Sequence, residues 1–141
     1  AKDKERAAAL RAMMAASWDD DHPSLRDLIA ETLSPNASIE DKRQYAEDMR
    51  QMISPENLAR YREAVDHVDV TGLLAQVQAP CLVMHCRADR MQPIEQGREL
   101  AAGLPNASFI ALDSNSHKPT ENEPAWPVVE REMHAFLEAL N

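Results

Sequence analysis

The 141 residues amount to one domain, and 24 Asp and Glu against 15 Lys and Arg leave a formal net charge of −9. So acidic a chain repels phosphate backbones instead of releasing their counterions, which excludes direct nucleic-acid binding as the expected role. No apolar run approaches the roughly 18 residues needed to span a bilayer, and the opening AKDKERAAALRAMMAASW has neither the apolar core nor the cleavage pattern of a signal peptide, so a cytoplasmic protein with no membrane partner is expected.

Residues 1–68 read as helices punctuated by Ser, Asp and Pro, with no internal repeat and no low-complexity linker. The leading segment carries Leu10, Met13, Met14 and Trp18. Asp19, Asp20 and Asp21 follow, and carboxylates there suit the positive end of the next helix. No spaced His or Cys accompanies them, so no metal site is expected. In HPSLRDLIAETLSP, Leu25, Leu28, Ile29 and Leu33 form one apolar stripe, Pro23 suits the first turn, and Ser34-Pro35 ends the helix. Ser38 followed by Asp41 resembles a capping arrangement for a helix with Tyr45, Met49 and Met52, and Ser54-Pro55 opens another bearing Leu58, Tyr61 and Val65. Methionine-rich, aromatic-poor helices suit ordinary core packing or a lid whose unbranched side chains refill gaps as it moves.

The pattern changes after Val70. Pro80 precedes the apolar run CLVMHC, and SFIAL occupies Ser108 to Leu112; neither alternates, so both are expected to be strands buried on two faces. Between them PIEQGRELAAGLP predicts a helix opened by Pro93, turning Ile94, Gly97, Leu100 and Ala101 inward, and ended by Gly103 and Pro105. This is a βαβ unit, whose strands are parallel. A last helix carries Val129, Met133, Phe136 and Leu140 on one side. Cys81 and Cys86 fall in one strand, point to opposite faces and cannot bridge each other, so both are expected reduced. Asn36 and Asn106 begin glycosylation sequons, read as chance without an export signal.

Asp89 comes three residues after the first strand run and His117 five after the second. Ligands bind beyond the carboxyl ends of parallel strands, so in neighbouring strands these two side chains converge on one crevice. A carboxylate that accepts a hydrogen bond from imidazole Nδ1 fixes the tautomer and stabilises the imidazolium, leaving Nε2 as a general base. Each residue alone also has an ordinary reading, Asp89 as a turn former or helix cap and His117 as an exposed loop histidine. His85 reads as a hydrogen-bonded core histidine, and neither His22 nor His134 carries a site.

The segment DVTGLLAQVQAPCLVMHCRADRMQPIEQGRELAAGLPNASFIALDSNSHKPTENEPAWPVVEREMHAFLEAL resembles the C-terminal section of an α/β-hydrolase-fold protein. It has, in order, a Pro-led strand ending in an acid loop, a helix opening near Pro93, a strand ending in Asp113, a histidine loop, and a terminal helix ending near FLEAL. GRELAA and EPAW are similar to segments of a subgroup found as hydrolases or attached to transcription-regulator or nucleotide-cyclase domains. The resemblance implies an α/β class: a partial α/β-hydrolase fold with a helical lid-like segment over 1–68 and a β-α-β-α section with two parallel strands over 69–141.

It also implies Asp89 as the triad acid and His117 as the triad base. The nucleophile elbow of that family, G-x-S-x-G on a strand-to-helix turn, is missing, because glycines occur only at 72, 97 and 103 and none flanks a serine in that pattern. The expectation is therefore the back portion of a longer protein that hydrolyses an ester or amide-type bond of a small molecule, with the serine upstream, no cofactor and no metal. The chain alone is expected to be inactive. The alternative is a ligand-sensing or dimerisation module of a transcriptional regulator with a vestigial dyad. Two departures from the family pattern stand out: Cys86 where such loops often carry glycine, and Ser114-Asn115-Ser116 leading into His117 where glycines are common. The open edges of a two-stranded remnant predict a homo-oligomer, or pairing with the missing N-terminal part of the same protein.

Overall fold

The computed structural model describes residues 2–18, 24–65 and 67–140. Asp19, Asp20, Asp21, His22 and Pro23 lie outside the described residues, as does the side chain of Leu10. The elements are α1 (Lys2–Ala16), α2 (Ser24–Leu33), α3 (Ile39–Met52), α4 (Pro55–Val65), a 3-10 turn (Thr71–Gln76), β1 (Cys81–Cys86), α5 (Ile94–Gly103), β2 (Ala107–Leu112) and α6 (Trp126–Glu138). They form two compact units, Ala1–Glu31 with Ser38–Val68, and Thr32–Ala37 with Asp69–Asn141. No described helix is long and apolar enough to cross a membrane.

In the first unit α1 packs on α4. Trp18, Ala30, Ala46 and Leu58 are buried, and the Trp18 indole donates to the Ile53 carbonyl at 2.9 Å. Ser38 caps α3 as its sequence suggests: its Oγ accepts from Asp41 N at 3.0 Å and donates to Asp41 Oδ2 at 2.7 Å. Ser54 Oγ accepts from Asn57 N at 3.3 Å before α4. The apolar stripe expected on α2 is displaced. Leu28 is 61% exposed, whereas Arg26 and Ala30 are buried one turn apart. Glu47 is held well below the usual carboxylate range first by its bonds from Arg50 and Gln51, with the Arg26 charge adding to them, and an arginine buried as far as its guanidinium nitrogens is invisible to a count of apolar positions. Tyr45, Met52, Tyr61 and Val65 are likewise exposed, so α3 and α4 meet this unit's core mainly through Ala46 and Leu58.

The second unit holds the sheet. β1 and β2 are adjacent and parallel, in register from Cys81 opposite Ala107 to Cys86 opposite Leu112. The link between them contains α5, which packs on both strands, while α6 packs on β1. Burial on two faces does not extend along the strands: among strand residues only Cys86 and Leu112 are fully buried, and Ser108 is exposed. The apolar runs are therefore sheltered chiefly at their C-terminal ends. There Cys86, Leu112 and Val129 form the core, with Met84, Ile110, Trp126 and Val128 against it. On α5, Gly97 is buried but Leu100 is 41% exposed; on α6, Met133 is exposed although Val129 is buried, and Leu140, expected on the same face, lies past the helix end and is exposed. Cys81 and Cys86 are both free thiols. Each fully buried aliphatic side chain contributes about 1.5–3 kcal/mol, so packing is concentrated directly beneath the strand ends from which Asp89 and His117 emerge.

Candidate active site

β1 ends at Cys86, and the chain turns at once. The turn is tied to the neighbouring strand by Arg87 N donating to the Leu112 carbonyl at 2.9 Å and Ala88 N to the Ser114 carbonyl at 3.1 Å. This anchoring places Asp89 beside the loop that follows β2. Its side chain is 2% exposed, and its two oxygens divide their partners. Oδ1 accepts from Met91 N at 2.7 Å and Gln92 N at 3.1 Å. Oδ2 meets His117 Nδ1 at 2.8 Å. The two residues singled out in the sequence therefore lie within hydrogen-bond distance, 28 positions apart in the chain.

Burial opposes charge on Asp89, but the bond to His117, the two backbone N–H donors and the histidine's charge outweigh it and hold the carboxyl below its ordinary range. An ionised carboxylate only accepts, so the proton in this contact belongs to Nδ1 of His117. That leaves Nε2 as the ring nitrogen able to take a proton. The His117 side chain is 39% exposed, so a mostly buried acid backs an accessible imidazole. A small cavity of about 160 Å³ lies at the pair, its lining including Met84, Leu112 and Val129.

His85 also reaches the acid. Its Nε2 is 3.1 Å from the Gln92 carbonyl and 3.3 Å from Asp89 Oδ2. Both neighbours are acceptors, so Nε2 carries the proton. A hydrogen-bonded histidine in the strand matches its sequence reading, but the contact with Asp89 is new; only the four-residue spacing of His85 and Asp89 hinted at it. Cys86, where the family pattern often has glycine, is buried and its thiol is pushed up to about 11, first by desolvation and further by the charges of Asp89 and Glu123. Such a thiol is a poor nucleophile near neutrality. His134 is exposed on α6. Among the described residues, no group of three or more His, Cys, Asp or Glu is placed to hold a metal.

The loop around His117 is held by a residue that sequence reasoning passed over. Glu123 is 4% exposed. It accepts from Ser116 Oγ at 2.8 and 2.9 Å, Ser114 Oγ at 2.9 Å, Asn36 Nδ2 at 3.0 Å and Thr120 N at 3.1 Å. Burial raises its carboxyl and these bonds overcome that effect, leaving it below the ordinary range. Asn36 belongs to the short segment 32–37, whose Leu33 carbonyl accepts from His117 N at 2.8 Å and Lys118 N at 3.1 Å. The one sequence signal was EPAW: a glutamate ahead of a helix reads as a solvated N-terminal acid, and nothing local shows that it is buried.

No family model matches the chain. It is 33% identical over 82 residues to a candidate carbamate hydrolase, RutD, of Pseudomonas syringae pv. syringae (strain B728a), a match covering 58% of this chain and 31% of that protein. Among solved structures, the esterase EaEST from Exiguobacterium antarcticum matches with a TM-score of 0.72 at 15% identity, over 92% of this chain and 48% of the esterase. The enol-lactonase from Burkholderia xenovorans LB400 gives 0.69 at 23% identity, over 92% of this chain and 49% of the lactonase. The fold is that of an α/β hydrolase, in part. The chain spans about a third of the curated relative's length, at 31%, and under half of both structures. The resemblance read from the segment after Asp69 thus agrees with hydrolase relatives and hydrolase structures. Within the α/β-hydrolase fold, Asp89 and His117 occupy the loops after two adjacent parallel strands, and no G-x-S-x-G occurs in the 141 residues.

Proposed function

We propose that this chain supplies the acid and base of a hydrolase that cleaves an ester, amide or related acyl bond of a small molecule, using a serine carried outside these 141 residues. The observation that carries the reading is the 2.8 Å contact between His117 Nδ1 and the buried Asp89 carboxylate. In the proposed cycle Nε2 of His117 takes the proton from the serine hydroxyl as its oxygen attacks the carbonyl carbon. The imidazolium is steadied by Asp89, then gives the proton to the departing oxygen or nitrogen. Water repeats the sequence on the acyl-enzyme, with the same histidine as base. No cofactor enters the scheme. The names of the similar proteins, which refer to an ester, a lactone and a carbamate, support acyl transfer to water as the reaction class.

The test is to join the coding region upstream of Ala1 to the chain and measure turnover of an activated acyl ester. The joined protein should turn over, the 141 residues alone should not, and His117→Ala in the joined protein should lower kcat by about 10²–10⁴-fold, the range of a general base. Full activity of the 141 residues alone, or an unimpaired His117→Ala protein, would overturn the proposal.

A further inference from the structure

We infer that Glu123 is the positioning residue of this site: its buried carboxylate gathers Ser114, Ser116, Thr120 and Asn36, and so holds the loop on both sides of His117 where Nδ1 reaches Asp89. The inference rests on the acid–base reading of Asp89 and His117. The loop from Asp113 to Thr120 contains no helix or strand beyond the end of β2, so no ladder of backbone bonds fixes it. His117 itself is tied by one side-chain bond to Asp89 and by its backbone N–H to Leu33. One bond from a part-exposed ring is weak against the freedom of such a loop.

Glu123 supplies the missing constraint by its placement. Ser114 and Ser116 precede His117 by three and one positions, and Thr120 follows it by three; all three donate to the one carboxylate. Ser116 is completely buried. Ser114 Oγ additionally accepts from Ser116 N at 3.0 Å, closing the turn that presents the histidine. The Ser114 carbonyl accepts from Ala88 N, so the same network grips the residue beside Asp89. Asn36 donates to Glu123 and also to Asn115 Oδ1 at 2.7 Å, linking the segment 32–37 to the loop. This accounts for the serines that stand where the family often has glycines: here each hydroxyl has a specified acceptor. An ionised carboxylate suits four donor groups because it offers acceptors alone and strengthens each bond with its charge.

A purely structural role for Glu123 would leave the histidine's chemistry unchanged in any variant that stays folded, so the readout is the imidazole. The ¹⁵N shifts of His117 in the labelled 141-residue chain report which ring nitrogen carries the proton at about pH 8, above the ordinary imidazole range. The wild-type chain should show the Nδ1–H form. Glu123→Gln preserves shape but replaces an acceptor oxygen with a donor, and should move the tautomer ratio at least about tenfold toward Nε2–H while the β1 and β2 amide resonances stay in place. If Glu123→Gln does not fold, Ser114→Ala removes one donor and leaves the carboxylate, and should shift the ratio in the same direction by about threefold. A folded Glu123→Gln chain with the wild-type tautomer would overturn the inference, as would an unchanged ratio in Ser114→Ala. Failure of the acid–base reading would appear separately, as a wild-type tautomer in a joined protein whose turnover ignores His117→Ala.

Discussion

Asp89 is the residue on which the site turns, because its two oxygens serve different masters: one is fixed by the backbone of its own loop and the other receives His117. Asp89 and Glu123 both have folded values held below the ordinary carboxylate range, by bonds that outweigh the cost of burial. The sign follows from linkage. Each group contributes stability that is fully present above its unfolded value and is lost as pH falls through the lowered folded value. The urea midpoint should therefore be nearly flat from about pH 7 to 5 and fall progressively below about pH 4. In a Glu123→Gln, Asp89→Asn chain that fall should be reduced; an equal fall in the double variant would assign acid sensitivity to other carboxylates. Asp89 and His117 are legible in the sequence because each follows an apolar run of strand length at a short distance. Glu123 is not, since its partners lie at 36, 114, 116 and 120 and only the folded chain collects them.

At the scale of elements, β1 and α5 show how closely the backbone must approach to build the site. A Cβ placed on Gly97 would lie 2.6 Å from His85 Nδ1 and 3.0 Å from its Cβ, so the glycine is required for α5 to seat against the ring. His85 is held at its other nitrogen by the Gln92 carbonyl and Asp89, and cannot retreat without breaking those contacts. Gly97→Ala should cost about 1–3 kcal/mol, as overpacking does elsewhere, and the loss should appear as a lower urea midpoint. Adding His85→Ala should relieve part of the penalty; two additive losses would show that the ring is not the obstacle. Helix and strand positions were largely legible because apolar runs, Pro93 and the Ser38 cap act locally. The buried faces were less so: Arg26 takes the place expected of Leu28, and the strands are covered only toward Cys86 and Leu112, since periodicity reports which residues are apolar and not how many neighbours exist to cover them.

For the molecule as a whole, the proposal makes Asp89 and His117 a single catalytic unit that depends on a nucleophile outside this sequence. An acid whose only role is to orient and stabilise the histidine has a diagnostic energetic signature. Once the base is gone, the acid has nothing left to orient, so the two losses do not multiply. The double-mutant cycle of Asp89→Asn and His117→Ala, measured as kcat in the joined protein, reads this coupling without reference to substrate identity. The predicted result is a loss of roughly 10²–10⁴-fold for each single variant and a double variant no worse than His117→Ala by more than about threefold. A double variant whose loss equals the product of the two single losses would contradict the account.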